Sequence, residues 1–341
     1  MKLLITGGAG FIGSNFVYHV LRTHPEDHVT VLDALTYAGN MENLKPLEND
    51  PRFRFVKGDI CDRDLVFDLV KGMDAVVHFA AETHVDRSIS DPGNFVRTNV
   101  MGTQTLLDAC RANGNVRFHH ISTDEVFGSL GPSGFFSETT SYDPRSPYSA
   151  SKAASDHLVR AAWHTYGLPI TISNCSNNYG PYCFPEKIIP LFITNLLEGK
   201  KVPLYGDGMN VRDWIYVEDH CKGVDLVLRK GTLGETYCLG GRSERANIEL
   251  TQTILFEMGH GKEMIQPVED RAGHDRRYAI DFSKAERELG WYPETPFLHG
   301  IRKTITWYTT NQDWWKRIKN GSYREYYEGQ YGSNGATKPV A

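Results

Sequence analysis

Tyr148 and Lys152 stand four residues apart in the run Ser146-Pro147-Tyr148-Ser149-Ala150-Ser151-Lys152. On a helix that spacing puts both side chains on one face. A free tyrosine, with a pKa near ~10, is a poor base at neutral pH. A neighbouring ammonium or a cationic ring stabilises the phenolate and lowers that value. The pair alone is common and ordinarily decorates a surface. A second cluster, Ser122-Thr123-Asp124-Glu125-Val126-Phe127-Gly128, offers a hydroxyl and two adjacent carboxylates. Adjacent carboxylates push their pKa values apart, which suits one to act as an acid and the other as a base. By position alone this run reads equally well as a helix cap with a solvated glutamate.

A third element is Thr6-Gly7-Gly8-Ala9-Gly10-Phe11-Ile12-Gly13. Gly8, Gly10 and Gly13 satisfy G-x-G-x-x-G, and Gly7, Gly10 and Gly13 satisfy the looser G-x-x-G-x-x-G. Between a strand and a helix, such a loop brings backbone N–H groups to a pyrophosphate at the positive helix end. Asp33 follows Gly13 by 20 residues, at the end of the next apolar run. A carboxylate there accepts bonds from the adenine ribose and repels a 2′-phosphate, so the expected cofactor is NAD rather than NADP. Asp59 and Ile60 would flank the adenine by the same topology, although a routine turn explains them almost as well.

These groups need elements to hold them. Apolar, β-branched runs at Lys2–Thr6, His28–Leu32, Phe53–Lys57, Ala75–Phe79, Phe118–Ser122 and Pro169–Asn174 alternate with helical patterns. The helical patterns cover Phe11–Arg22, Asp62–Val70, Phe95–Ala112 and Pro147–Tyr166. Such alternation predicts an α/β fold with a doubly wound parallel sheet of Rossmann type. Ser146 and Pro147 read as the cap and first residue of the last helix. After about residue 175 Pro and Gly become frequent. The expected division is a dinucleotide-binding unit over 1–175, a smaller α/β substrate-binding cap mainly over 176–328, and a frayed tail over 329–341. Segments such as Glu235–Leu239 are expected to rejoin the main sheet.

Composition narrows the remaining classes. The 341 residues are 40% hydrophobic and 23% charged, with net charge −5 and no long basic run. That balance fits a soluble globular protein and argues against nucleic acid as a partner. No run reaches the ~18 apolar residues that a membrane span needs. The six cysteines never form C-x-x-C or a metal-finger spacing, so free thiols, no metal and a cytoplasmic setting are expected.

The glycine loop, the strand-end Ser122-Thr123 and the Tyr-x-x-x-Lys pair together resemble the extended short-chain dehydrogenases/reductases. Thr-Asp-Glu in this place is similar to the nucleotide-sugar 4,6-dehydratases among them. The resemblance runs over nearly the whole chain, through Ala80-Ala81-Glu82-Thr83-His84-Val85-Asp86, Ser176-Asn177-Asn178-Tyr179-Gly180-Pro181, Pro185-Glu186-Lys187, Leu204-Tyr205-Gly206-Asp207-Gly208, Asn210-Val211-Arg212-Asp213-Trp214 and Asp270-Arg271-Ala272-Gly273-His274-Asp275. Phe127 departs from the Tyr usual in the family, and Cys183 from its Gln or His.

The resemblance implies dehydration of dTDP-glucose to a 4-keto-6-deoxy sugar nucleotide, with NAD tightly bound and regenerated at each turnover. It assigns catalysis to Thr123, Asp124, Glu125, Tyr148 and Lys152. It places Gly7, Gly10, Phe11, Ile12, Gly13, Asp33, Thr36, Asp59, Ile60, Ala80, Ala81, Thr98, Tyr148, Lys152 and Asn178 around NAD. Substrate contacts are implied for Thr83, Thr123, Asn177, Lys187, Ile188, Pro203, Tyr205, Arg212, Asn247, Arg271 and His274. Without the resemblance, Arg212 and Arg271 would read as surface ion pairs. A homodimer is implied through the helices at Phe95–Ala112 and Pro147–Tyr166, with Val100, Leu107, Ala154 and Ala161 as apolar contacts. A sugar-nucleotide 4-epimerase or decarboxylase would share Tyr148, Lys152 and NAD but not the paired carboxylates. A nicotinamide-sensing regulator would need neither.

Overall fold

The computed structural model describes residues 1–270 and 275–319. Arg271 and His274, and the tail from 320 on, lie outside the described residues. The strands are β1 (Lys2–Thr6), β2 (His28–Asp33), β3 (Phe53–Lys57), β4 (Ala75–His78), β5 (Arg117–Thr123), β6 (Ile170–Cys175), β7 (Asn177–Tyr179), β8 (Val202–Tyr205), β9 (Val211–Tyr216), β10 (Thr236–Leu239), β11 (Glu244–Ala246) and β12 (Ile265–Val268). The helices are α1 (Phe11–Thr23), α2 (Arg63–Val70), α3 (Val85–Ser90), α4 (Pro92–Phe95), α5 (Thr103–Ala112), α6 (Pro147–Tyr166), α7 (Ile188–Leu197), α8 (Val217–Lys230), α9 (Asn247–Glu257), α10 (Ser283–Leu289), α11 (Phe297–Thr310) and α12 (Gln312–Ile318).

Seven strands form one parallel sheet in the order β10-β6-β5-β4-β1-β2-β3. Parallel strands need helical crossovers, and these cover both faces, so the strands are apolar without alternation. On one face Phe16, Val17 and Val20 of α1 pack with Val224 and Val227 of α8 and Ala285 of α10. On the other, Val66 of α2, Leu106 and Leu107 of α5, and Val159 and Ala162 of α6 close the core. A separate core joins α7, α9, α11 and α12 to β9 through Phe192, Leu250, Ile301, Tyr308, Trp314 and Trp315. The Glu235–Leu239 run forms β10 beside β6, pairing Tyr237 with Ser173. Helices α8 and α10 also pack on the main sheet, although both fall beyond residue 175.

Two helical patterns differ in detail from the sequence expectation. Asp62 is the cap of α2 rather than its first residue, its carboxylate accepting from the Leu65 amide at 3.2 Å. The run expected as one helix over Phe95–Ala112 is interrupted by a π-helical turn, Val96–Gly102. The buried Asn99 holds that turn. Its amide donates to the Glu82 carbonyl (3.0 Å) and to Ser151 Oγ (2.8 Å), and its oxygen accepts from the Glu82 amide (2.9 Å). Leu107, expected on a surface between copies, is buried within this chain.

Helix α6 carries the tyrosine–lysine pair and begins sharply. Ser146 accepts from the Ser149 amide (3.1 Å), and Ser149 Oγ accepts from the Ser146 amide (3.0 Å), with Pro147 as the first helical residue. Gly167, at φ 66°, ends the helix in the left-handed region that glycine tolerates. Ser146→Ala should cost about 1 kcal/mol through loss of the cap, read as a lower melting temperature. A wild-type melting temperature for Ser146→Ala would show that the cap does not hold α6.

Candidate active site at the carboxyl edge of the sheet

β1 has β2 on one side and β4 on the other, so the chain winds away from it in both directions. At such a switch point the loops after the strands part and leave a crevice. The cleft there is lined by the glycine loop, by Asp33, Asp59, Ala80, Thr83 and Thr98, and by Thr123, Asp124, Glu125, Tyr148 and Lys152. From the far side it is closed by Asn177, Asn178, Lys187 and Ile188.

The turn after β1 leaves no room for side chains. Gly7 has φ +71°, and a Cβ on it would stand 2.5 Å from the Ala80 amide nitrogen. A Cβ on Gly13 would stand 2.2 Å from the Gly7 carbonyl oxygen. The N-terminus of α1 therefore opens directly on the cleft, with Gly10 as an unsubstituted cap. At the end of β2, Asp33 accepts from the amides of Ala9 (2.9 Å) and Leu35 (2.8 Å). Burial nevertheless raises its carboxyl above the ordinary value. Asp59 accepts from the Cys61 amide (2.8 Å) and from Arg97 (2.7 Å). Burial works against the Asp59 carboxylate, but these two donors hold it below the usual range.

The reacting groups sit deeper. Tyr148 and Lys152 are buried on one face of α6. Lys152 Nζ donates to the Ile121 carbonyl at 2.8 Å, and burial brings its pKa down to about 8. Burial, then the charge of Glu125 and the thiol of Cys175, push the Tyr148 phenol well above its ordinary value, while the Thr123 hydroxyl opposes them. The lowering that the sequence reading expects from Lys152 is not seen in the protein alone, and positive charge brought into the cleft would favour the phenolate. Thr123 caps a short turn, accepting from the Glu125 amide (3.3 Å) and donating to Asp124 Oδ1 (3.2 Å). Asp124 is 2% exposed, and burial, with Glu125 and Asp213 near it, raises its carboxyl strongly. Asp124 thus holds its proton more tightly than an ordinary carboxyl, beside a partly buried neighbour.

Residues 4–304 match the model of the GDP-mannose 4,6 dehydratase family. A dTDP-glucose 4,6-dehydratase of Neisseria meningitidis serogroup B is 52% identical over 95% of this chain and 97% of its own. Another, of Streptomyces antibioticus, is 54% identical over 94% and 96%. The chain belongs to the dTDP-glucose 4,6-dehydratase family. A solved dTDP-glucose 4,6-dehydratase of Streptomyces venezuelae, a double mutant with NAD bound, superposes on it with TM-score 0.92 at 52% identity, covering 94% of this chain and all of the other. The fold is shared more widely. A UDP-glucose 4-epimerase of Thermotoga maritima gives TM-score 0.85 at 28% identity, over 92% of this chain and 100% of its own.

The NAD and catalytic residues that this family membership implies come together in one cleft: Gly7, Gly10, Phe11, Ile12, Gly13, Asp33, Thr36, Asp59, Ile60, Ala80, Ala81, Thr98 and Asn178 all line it with the five catalytic positions. So do Thr83, Asn177, Lys187 and Ile188, and Lys187 Nζ donates to the Thr83 carbonyl at 3.2 Å. Pro203, Tyr205, Arg212 and Asn247 do not line it. They lie on β8, β9 and the start of α9. Arg212 stacks over the Tyr278 ring at 4.2 Å and donates to the Asp275 carbonyl at 2.9 Å. The sequence reading missed Asn99, His120 and Asp156. The spacing of Tyr148, Lys152 and Asp156, one helical turn each, was the available signal for the last.

The raised Asp124 carboxyl has a stability consequence with a definite sign. A carboxyl whose folded pKa exceeds its unfolded value destabilises the fold as pH rises between the two. Asp124→Asn removes that penalty, so its melting temperature should exceed wild type at pH 7, with the difference closing as pH falls toward about 4. A variant less stable at pH 7 than wild type, by the same margin at every pH, would show that Asp124 is ionised.

Proposed function

We propose that this protein dehydrates dTDP-glucose to dTDP-4-keto-6-deoxyglucose with a resident NAD, in the synthesis of deoxysugars. The observation that carries the reading is a buried Asp124, its carboxyl raised strongly by burial, adjoining Glu125 in the cleft that also holds Tyr148 and Lys152. Epimerisation has no use for a second carboxyl of this kind. The bare turn at Gly7 and Gly13 suits a pyrophosphate, and Asp33 at the β2 edge suits an adenine ribose without a 2′-phosphate. Buried oxygens of Asn177 and Asn178 have no partner among the described residues and face the same space.

NAD, held by the glycine loop and Asp33, would supply a hydride acceptor for C4, the hydride returned to C6 as C5 takes back a proton, and positive charge in the cleft while oxidised. That charge is the one the Tyr148 phenol lacks in the protein alone. Tyr148 then takes the proton of the C4 hydroxyl, and Thr123 positions that hydroxyl. Lys152 holds the ribose and keeps positive charge near the phenolate. The ketone acidifies C5, whose proton Glu125 removes. Asp124, protonated, donates to the departing C6 hydroxyl, and water leaves. Exclusion of solvent by a bound substrate would raise the Asp124 carboxyl further. Contacts to the substrate fall to Thr83, Asn177, Lys187, Ile188, Pro203, Tyr205, Arg212, Asn247, Arg271 and His274. A guanidinium such as Arg212 can hold a diphosphate bidentately.

The reading extends to a cytoplasmic homodimer. Val96 and Met101, 51% and 60% exposed, put apolar surface on the helical run beside α6. None of the described helices is long and apolar enough to cross a membrane. Light scattering at micromolar concentration should give twice the chain mass, and a monomer would refute the dimer.

Purified protein should convert dTDP-glucose, without added NAD, to a product lighter by one water in mass spectrometry. UDP-glucose is the comparison. Tyr148→Phe should slow the first oxidation by orders of magnitude. Glu125→Gln and Asp124→Asn should still oxidise C4, seen as a rise at 340 nm, while water loss slows. Glu125→Gln should also suppress solvent-deuterium exchange at C5 more than Asp124→Asn does. No product from either nucleotide sugar, or fast dehydration by Tyr148→Phe, overturns the assignment.

A further inference from the structure

The face of α6 that carries Tyr148 and Lys152 continues one turn further to Asp156, which is fully buried. Asp156 Oδ2 accepts from Ser122 Oγ at 2.7 Å and from the Tyr142 hydroxyl at 2.8 Å. Between Asp156 and Lys152 stands His120 of β5, also fully buried. Its Nε2 lies 3.1 Å from Asp156 Oδ1 and 3.4 Å from Lys152 Nζ. Ammonium, imidazole and carboxylate therefore run in a row beneath the cleft.

A lone buried ammonium is costly, and unless it is paired it sheds its proton. The groups that face this row are His78 of β4, His119 of β5, Cys175 of β6, Tyr142 before α6, and Arg160 one turn beyond Asp156. Burial keeps His78 and His119 neutral, raises the Tyr142 phenol, and pushes the Cys175 thiol up to about 12. Glu125 faces Tyr148 from the cleft side. At neutral pH the charges in the row itself are thus Lys152 and Asp156, with Arg160 reaching Tyr142 at 3.1 Å. His120, brought down to about 4 by burial and by Lys152, separates them without adding charge. Burial works against Asp156 too, but its contacts with His120, Lys152 and Ser122 hold its carboxyl below the ordinary value.

We propose that Asp156, acting across His120, is a positioning residue for Lys152: its carboxylate keeps the lysine protonated and seated beside Tyr148. The proposal rests on the dehydratase reading only for what Lys152 then does. The carboxylate is the counter-charge that lets an ammonium exist at this depth. Without it the lysine becomes a neutral amine nearer neutral pH, and the phenolate loses its electrostatic support.

The test reads Lys152 directly. Holoenzyme labelled with 13C at lysine Cε is titrated by NMR, the Lys152 signal being assigned by its loss in Lys152→Arg. The wild-type midpoint should fall near 8, where burial sets it. In Asp156→Asn it should drop by about one pH unit or more, the effect of removing a charge a few ångströms away. Asp156→Glu should restore it. The alkaline limb of the single-turnover 340 nm rise should move with the midpoint. A merely structural aspartate would lower the rate equally at every pH and leave the midpoint in place, which overturns the proposal. Should Asp156→Asn fail to fold, Ser122→Ala and Tyr142→Phe each remove one bond to Oδ2 and keep the charge. Because the carboxylate stays charged in both, a Lys152 midpoint close to wild type in each supports the proposal, and a drop as large as the one expected for Asp156→Asn overturns it. A midpoint that shifts in a protein inactive on dTDP-glucose would sink the dehydratase reading and leave the Asp156 role standing.

Discussion

The cleft depends on how closely two stretches of backbone pass at the end of β1. Gly7 must lie against the chain leaving β4, and Gly13 must lie against Gly7, so each position has space for hydrogen only. That contact puts the N-terminus of α1 at the mouth of the crevice instead of behind a side chain. It also fixes the distance from the glycine loop to β5, whose end carries Thr123, across the intervening β4. Two recognition tasks, for a pyrophosphate and for a sugar, are set in register by one tight packing of main chain.

Burial then does opposite things to neighbouring groups. It raises the Asp124 carboxyl, so that its proton is held more tightly, and it lowers Lys152, so that its proton is given up more readily. It leaves the Tyr148 phenol a weak acid until positive charge enters the cleft. The same desolvation thus sets an acid and leaves a base in waiting, and the sign follows only from which form of each group is charged. Asp33 and Asp59 show the balance at the rim. Two amides do not offset burial for Asp33, whereas an amide and a guanidinium do for Asp59.

Much of this was legible in the residues. β1, β3 and α6 fall where apolar runs and the Ser-Pro start put them, because a strand covered on both faces and a capped helix each carry a local signature. The cleft-lining residues were legible through the glycine spacing, Tyr-x-x-x-Lys and the family resemblance. The contributions of α8 and α10 to the main core were not, since nothing local distinguishes a helix that returns to a distant sheet from one in a cap. His120 escaped notice because a histidine in an apolar strand reads as an ordinary core residue. Its partner becomes visible only when β5 is laid against α6. Arg212 and Asn247 do not line the cleft, although the Arg212 charge acts on Asp124; their places on β9 and at the start of α9 are set by tertiary packing and carry no local signature.

The π-helical turn Val96–Gly102 has a mechanical meaning for how this helical run is phased. One additional residue in a helix rotates everything beyond it by about 100°. Within the widened turn, Thr98 lines the cleft and Asn99 bonds the loop after β4; beyond it, Leu106, Ala109 and Cys110 face the sheet. The widened turn acts as a gear change that lets a single rod serve two surfaces pointing in different directions.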